Sequence, residues 1–317
     1  MFAASPASAV TRQRPSMHWI VLSLGSAFGF AIVSALDKIL IQRYMPTPLV
    51  FIVIVGLCQL GLAAVTVPFS TFSGYGVDTL LIAIGGGLLS GIYLAMMFWV
   101  MRTQDVSRVV PVTTTHTIFV AILAMVFLSE FISLIAWIGI FATVVGAALM
   151  SLGPTMRESE REQNRIIPFM LLLVASLAFG INQFLTKLIS VDMDVWTLFM
   201  WRALGMGISC TAFIVTPRII PDLINTLRSP IPMGLTILVE GFLVLGTVYL
   251  TLEAIYAGPV SLVTAVMATR PMFVFMLGIV LSLGISRVLD EPLGGKILAV
   301  KLAAIVLTVG GVIAVSV

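Results

Sequence analysis

Arg270 stands inside AVMATRPMFVF, residues 265 to 275, with apolar side chains before and after it and a proline directly behind it. A guanidinium in such a run suits two chemistries. It takes a carboxylate or phosphate through paired donors, or it locks two helices together in an ion pair with a carboxylate of the same chain. Other polar groups sit in equally apolar surroundings: Arg202 in MWRALGMG, His116 behind Thr113, Thr114 and Thr115, Glu253 between Tyr249 and Tyr256, Glu240, Lys187 in QFLTKLI, and Asp37 and Lys38 in SALDKIL. His116 is of the type that relays a proton or hydrogen-bonds across helices. Glu240 and Glu253 are candidates for exchanging a proton, but at about 100° per residue they project from different faces of one helix and form two separate sites. The sequence holds no H-E-x-x-H pair, no cysteine–histidine ligand set, no nucleophile elbow and no P-loop. Neither catalysis, a bound metal, a cofactor nor nucleotide hydrolysis is therefore expected of it.

The elements that must position these residues follow from composition. Of 317 residues, 60% are hydrophobic and 10% charged, with a mean hydropathy of +1.15; soluble domains carry about 25% charge. Apolar runs long enough to cross a bilayer, about 20 residues each, recur along almost the whole chain and make it an integral membrane protein. They lie near 18–40, 47–69, 79–101, 106–129, 132–152, 167–190, 195–216, 233–257, 260–284 and 297–317. MRESEREQNR, 156–165, is the sustained polar stretch between the fifth and sixth. The expected organisation is a polar tail over 1–17, without cleavage, a first unit over 18–152, a charged linker over 153–166 and a second unit over 167–317. The net charge of +3 is spread over connections, which argues for orientation in a membrane and against nucleic acid as a partner. Arg12 and Arg14 oppose the basic residues of the odd-numbered connections, so the orientation stays open. Cys58 and Cys210 lie inside apolar runs and read as packing.

Depth follows from distance along each helix, at about 1.5 Å per residue. Let side E carry the even-numbered connections and side O the others. Below side E, Lys187 lies about 5 Å deep, Glu253 about 7 Å, Arg202 about 10 Å and Arg270 about 15 Å, near the middle of an apolar core about 30 Å thick. From side O, Asp37 and Lys38 lie within a few ångströms of the surface, Glu240 about 10 Å deep and His116 about 15 Å. A central charge costs about 2.5–3.5 kcal/mol even on insertion scales, so Arg270 is expected to face inward, with Glu253, a watery cavity or a bound anion as its partner. Lys38 and Lys187 are equally able to snorkel to headgroups. Pro271 cannot donate to the Met267 carbonyl and is expected to bend the helix beside Arg270. Pro111 falls early in its helix, where the missing donor costs little. Gly25, Gly29, Gly87, Gly91 and the 310–314 stretch read as close helix packing.

The chain repeats itself. SALDKIL (34–40) lies over QFLTKLI (183–189), pairing Lys38 with Lys187, and VSRVVPVTTTHTIF (106–119) lies over VSLVTAVMATRPMF (260–273), pairing His116 with Arg270. Five spans per half is an odd number, so the halves enter the membrane from opposite sides. The expected fold is all-α, with ten transmembrane helices in two inverted five-helix repeats.

Several stretches resemble the EamA-like, ten-helix branch of the drug/metabolite transporter superfamily. They are the Gly-rich opening helix GSAFGFAIVSALDKIL, residues 108–150 with a Pro-containing helix, Glu130 at the turn and a Gly-bearing helix, and in the second half MWRALGMG, TLEAIYAGPVSLVTAVMATRPMFVFML and DEPLGGKILAVKLAAIVLTVGGVIA. One departure is that Val53 stands where the second half has Arg202. The resemblance implies a helix bundle around a central cavity and carrier-mediated transport of a small organic solute. The implied setting is a plasma or inner cell membrane, crossed many times, with the bilayer and the solute as partners and protons or a counter-solute as drivers. Cations outnumber carboxylates among the buried groups, Lys38, Lys187, Arg202 and Arg270 against Asp37, Glu240 and Glu253. An amino acid or organic anion is thus expected at Arg270 and Arg202, with His116, Thr115, Tyr249, Glu253, Lys187 and Lys38 around it. Two further readings are a proton-coupled exporter of lipophilic or cationic drugs, using Glu253, Glu240 or His116 as the relay, and a translocase of lipid-linked head groups.

Overall fold

The computed structural model describes residues 18–101, 112–150, 166–284 and 295–316, and all regular structure within them is helical. Pro111, the polar tail and the linker up to residue 165 lie outside the described residues. The helices are α1 (His18–Arg43), α2 (Pro48–Thr66), α3 (Val77–Met101), α4 (His116–Phe127), α5 (Leu134–Met150), α6 (Ile166–Ile189), α7 (Val195–Thr211), α8 (Ile220–Arg228), α9 (Pro230–Ala257), α10 (Val260–Met267), α11 (Arg270–Gly284) and α12 (Gly295–Ser316). By length and composition α1, α2, α3, α6, α9, the α10–α11 run and α12 make seven helices able to cross a membrane. The described parts of α4, α5 and α7 are shorter, at 12, 17 and 17 residues. Such a set makes a multi-pass membrane protein.

Local chemistry sets the helix ends. The Thr47 side chain accepts from Val50 N at 3.3 Å with Pro48 directly after it, which starts α2. At the end of α4, Ser129 takes a left-handed φ of 52° and Glu130 N donates back to Ala124 O at 3.2 Å, turning the chain so that Glu130 reaches the start of α10. Helix α8 fills what the sequence offered only as a connection. It buries Leu223 and Thr226 and exposes Ile220, Ile224 and Leu227 between Arg218 and Arg228, the pattern of a helix lying in a membrane interface.

Helix α1 packs along α9 and the α10–α11 run, while α6 packs along α3 and α4; α2 lies on α7, α4 on α10 and α5 on α12. Large apolar side chains such as Ile138, Phe242 and Val306 point outward, as they do where hydrocarbon is the solvent. In that medium close backbone approach does much of the packing. Gly139 and Gly311 illustrate it: a Cβ on either would lie 2.7 Å from the other's carbonyl oxygen.

Two interruptions matter for the site. One lies at Thr114–Thr115, just before His116, and the other at Ala268–Thr269, just before Arg270. Their hydrogen bonds match in the register that pairs those two residues. Thr115 N donates to Val112 O at 3.2 Å and Thr269 N to Val266 O at 3.1 Å; Ile118 N donates to Thr115 O at 3.0 Å and Met272 N to Thr269 O at 2.9 Å. Pro271 was expected to bend a continuous helix. The helix instead ends at Met267, and Pro271 occupies the first turn of α11, where a missing donor is free. The first half breaks with Thr117 at the corresponding position, so proline does not make the break. Hydroxyl bonds to the backbone accompany both breaks: Thr115 Oγ1 donates to Val112 O at 2.6 Å and Thr264 Oγ1 to Val260 O at 2.9 Å.

Candidate functional site at the helix breaks

Arg270 opens α11 at its break and reaches across to α1. Its Nε donates to Ser34 Oγ at 3.0 Å, Nη2 donates to the same oxygen, and the guanidinium lies 5.2 Å from the centre of the Phe30 ring. Asp37, one turn beyond Ser34, and Glu240 from α9 are hydrogen-bonded to each other through their carboxyl groups, and both lie in the field of Arg270. Tyr93 of α3 faces the same guanidinium and bonds to the Thr113 side chain. Next to it the Phe179 ring stands between Tyr93, at 4.7 Å, and His116, at 4.9 Å. His116 Nδ1 donates to the Thr113 carbonyl at 2.8 Å, which leaves Nε2 as an acceptor. Arg270 is ringed by groups from α1, α3, α4 and α9 and still keeps an exposed surface. That combination describes a charge facing an interior space within the bundle.

The partners differ from those expected. Glu253, the anticipated mate of Arg270, instead accepts from the Tyr249 hydroxyl. Asp37 had been placed near the membrane surface because α1 was ended at residue 40. The helix runs to Arg43, so Asp37 lies about 9 Å inside its end. Glu240 sits at the middle of a π-helical turn, Ile237–Leu243, and is only 6% exposed. Such a turn adds a residue to the ring of backbone bonds and re-aims its side chains, a common device at functional sites.

Arg202 on α7 forms a second centre. Its Nε and Nη1 are buried and have no hydrogen-bond partner among the described residues; its charged neighbourhood is Tyr256 of α9. The Tyr256 hydroxyl donates to Met193 O at 2.5 Å, and Glu253 and Tyr249 lie one and two turns away along α9. Trp196 stacks on Tyr249 at 4.8 Å and meets Phe69 at 5.4 Å, so this end is lined with aromatic rings. The mouth is braced by Asp194, the N-cap of α7. Its Oδ1 accepts from Trp196 N and Thr197 N at 3.0 Å each, and its Oδ2 accepts from Thr197 Oγ1, Tyr75 and Thr71 at 2.6, 2.7 and 2.8 Å. Burial pushes the Asp194 carboxyl up, but these bonds outweigh it and hold the group at about 2.

Other candidates have local roles. Lys187 Nζ donates to Ile255 O at 2.7 Å and Gly258 O at 2.8 Å, capping the C-terminus of α9. Glu130 caps the start of α10, accepting from Val260 N at 2.9 Å and from Ser261 Oγ at 2.6 Å. Lys38 is exposed on α1, and the Thr115 hydroxyl is spent on its own break. Sequence reasoning did not single out Tyr93 and Ser34; a lone tyrosine in the apolar run of α3 was the available signal. Lys301, 3% exposed with Nζ 4.3 Å from the Phe275 ring centre, was likewise read only as a loop charge. Two clefts of about 330 and 430 Å3 lie on outer faces and are lined by apolar residues such as Ile92, Trp99, Val306 and Gly310. Neither touches the charged centres.

Among curated proteins no sequence matches this chain. A solved crystal structure, described only as that of a protein, is similar over 96% of this chain and 96% of its own, with a TM-score of 0.68 and 12% sequence identity. At that identity the likeness shows the fold alone. The model of the EamA-like transporter family matches residues 17–152, which contain α1 to α5 and with them Ser34, Asp37, Tyr93 and His116. Through these residues the chain belongs to the EamA-like transporter family, within the drug/metabolite transporter superfamily, whose members carry small molecules across membranes.

Proposed function

We propose that the chain is a secondary transporter of the plasma or inner membrane that moves a small organic solute bearing a carboxylate, an amino acid or organic anion, by alternating access between two inverted five-helix repeats. Support for the repeats comes from the pairing of helices, which is unchanged when each first-half helix is exchanged with its second-half counterpart. The matched breaks before His116 and Arg270 support it again. Discontinuous helices facing each other across a bundle are the usual setting of a transporter's binding site.

Arg202 carries the reading of solute charge. A buried guanidinium with unpaired donors is unstable alone and becomes stable when a carboxylate takes it bidentately. Arg270 is already served by Ser34, Asp37 and Glu240, so it balances the interior while Arg202 holds the solute, with Tyr249, Tyr256 and Trp196 as walls. A thermal-shift screen of purified protein against amino acids, mono- and dicarboxylates and cationic drugs tests this. Stabilisation by carboxylates is expected in the wild type and is lost in Arg202→Ala. Stabilisation by organic cations alone, retained in Arg202→Ala, would favour the exporter reading, to which the acidic pair on α1 and α9 lends itself.

A further inference from the structure

Asp37 and Glu240 come from different halves of the chain, yet their carboxyl groups touch inside the bundle. Two carboxylates in contact cannot both stay charged in a medium of low polarity; one proton between them removes the repulsion. Glu240, buried to 6%, is the one that keeps the proton and donates to Asp37, while Asp37 Oδ1 remains buried without a partner. The groups facing the pair are known from every side: Arg270 from the α10–α11 run, and by electrostatic reach Cys58 of α2 and Cys210 of α7. Tyr93 of α3 and His116 of α4 face Arg270 rather than the pair. Cysteine and tyrosine are neutral at physiological pH, so Arg270 is the one counter-charge among these neighbours.

We infer that Asp37 and Glu240 form a single proton-binding site, and that this proton travels with the anionic solute as a symport. The co-transport rests on the transporter reading above; the proton site does not. Counting the interior charges of Asp37, Glu240, Arg270 and Arg202 gives the coupling. With the shared proton and a bound monoanion the interior is neutral, and with neither it is neutral again. With only one of the two it carries a net charge, which a low-dielectric interior penalises. The neutral forms are therefore the ones that reorient. Losing the proton also tightens the hold of two carboxylates on Arg270, which ties α1 of one half to α9 and α11 of the other. The π turn at Glu240 and the break before Arg270 are where that tie can be remade.

Infrared difference spectra of reconstituted wild-type protein, from mildly acidic to strongly alkaline buffer, decide on the proton site without any ligand. The expected result is the loss of a protonated-carboxyl C=O band that is missing in both Asp37→Asn and Glu240→Gln, although each keeps one carboxyl. Absence of the band in the wild type, or its persistence in either variant, overturns the shared site. Flux into proteoliposomes of radiolabelled amino acids and monocarboxylates tests the coupling. For one proton with one monoanion, an inward gradient of about one pH unit gives about tenfold accumulation. Glu240→Gln should exchange solute across the membrane but no longer accumulate it. Accumulation driven by the opposite gradient, or indifferent to pH, overturns symport. No flux of any solute in the wild type would sink the transporter reading and leave the proton site to the spectra.

Discussion

Replacing Lys187 by methionine separates two roles that the sequence left level. The substitution keeps the buried stem and removes the ammonium, whose donors reach Ile255 O at 2.7 Å and Gly258 O at 2.8 Å. Hydrogen bonds from a charged group contribute about 1.5–3 kcal/mol each, but these two share one donor group at a helix end that water can reach. The interaction with the negative end of α9 adds about 0.3–1 kcal/mol. Allowing for rehydration of the carbonyls, the expected loss is about 2–3 kcal/mol, or roughly 5 °C in Tm for a chain of this size. Thermal unfolding in detergent measures it, alongside solute affinity in the same sample. A capping lysine shifts Tm and leaves affinity within about twofold, a difference of under 0.5 kcal/mol. An unchanged Tm with affinity lowered tenfold or more would refute the capping role and make Lys187 a solute ligand.

Three further outcomes follow from the geometry. Arg202→Leu removes a buried charge with unpaired donors and should hold or raise Tm while weakening carboxylate binding by about a hundredfold, as read by calorimetry. Gly139→Val drives a side chain into the Gly311 carbonyl and should cost about 1–3 kcal/mol in thermal stability, with Gly139→Ala intermediate. Asp194→Ala loses the α7 cap and should cost about 1–2 kcal/mol near neutral pH. Because folding lowers the Asp194 pKa from 3.8 to about 2, its contribution is complete above the unfolded value and disappears as pH falls through about 2. The Tm gap between wild type and variant should therefore close across that acid range; a gap constant down to the lowest pH would contradict the hydrogen-bond network around Asp194.

The sequence was most informative where one dimension suffices. Apolar run length located the membrane helices within a few residues, and the register of two short stretches paired His116 with Arg270 before either break was visible. It was least informative where direction around a helix matters. Depth along an axis placed Glu253 nearer to Arg270 than Asp37, but a height says nothing about azimuth, and a long guanidinium spans several ångströms sideways. Helix α8 was missed because its apolar positions are few and interleaved with charge, the pattern of an interface and not of a span.

What the sequence determined by itself, then, is the solvent, the helices and the doubling of the unit, because hydrophobic length and internal repetition are local properties of the chain. What tertiary structure decided is who faces whom. Arg270 belongs to Ser34, Asp37 and Glu240, Lys187 and Glu130 belong to helix ends, and Arg202 keeps its open donors. Those pairings depend on how far α1 runs, on the extra residue in the turn at Glu240 and on where the helix stops before Arg270. Each is a rotation or offset that only packed neighbours impose.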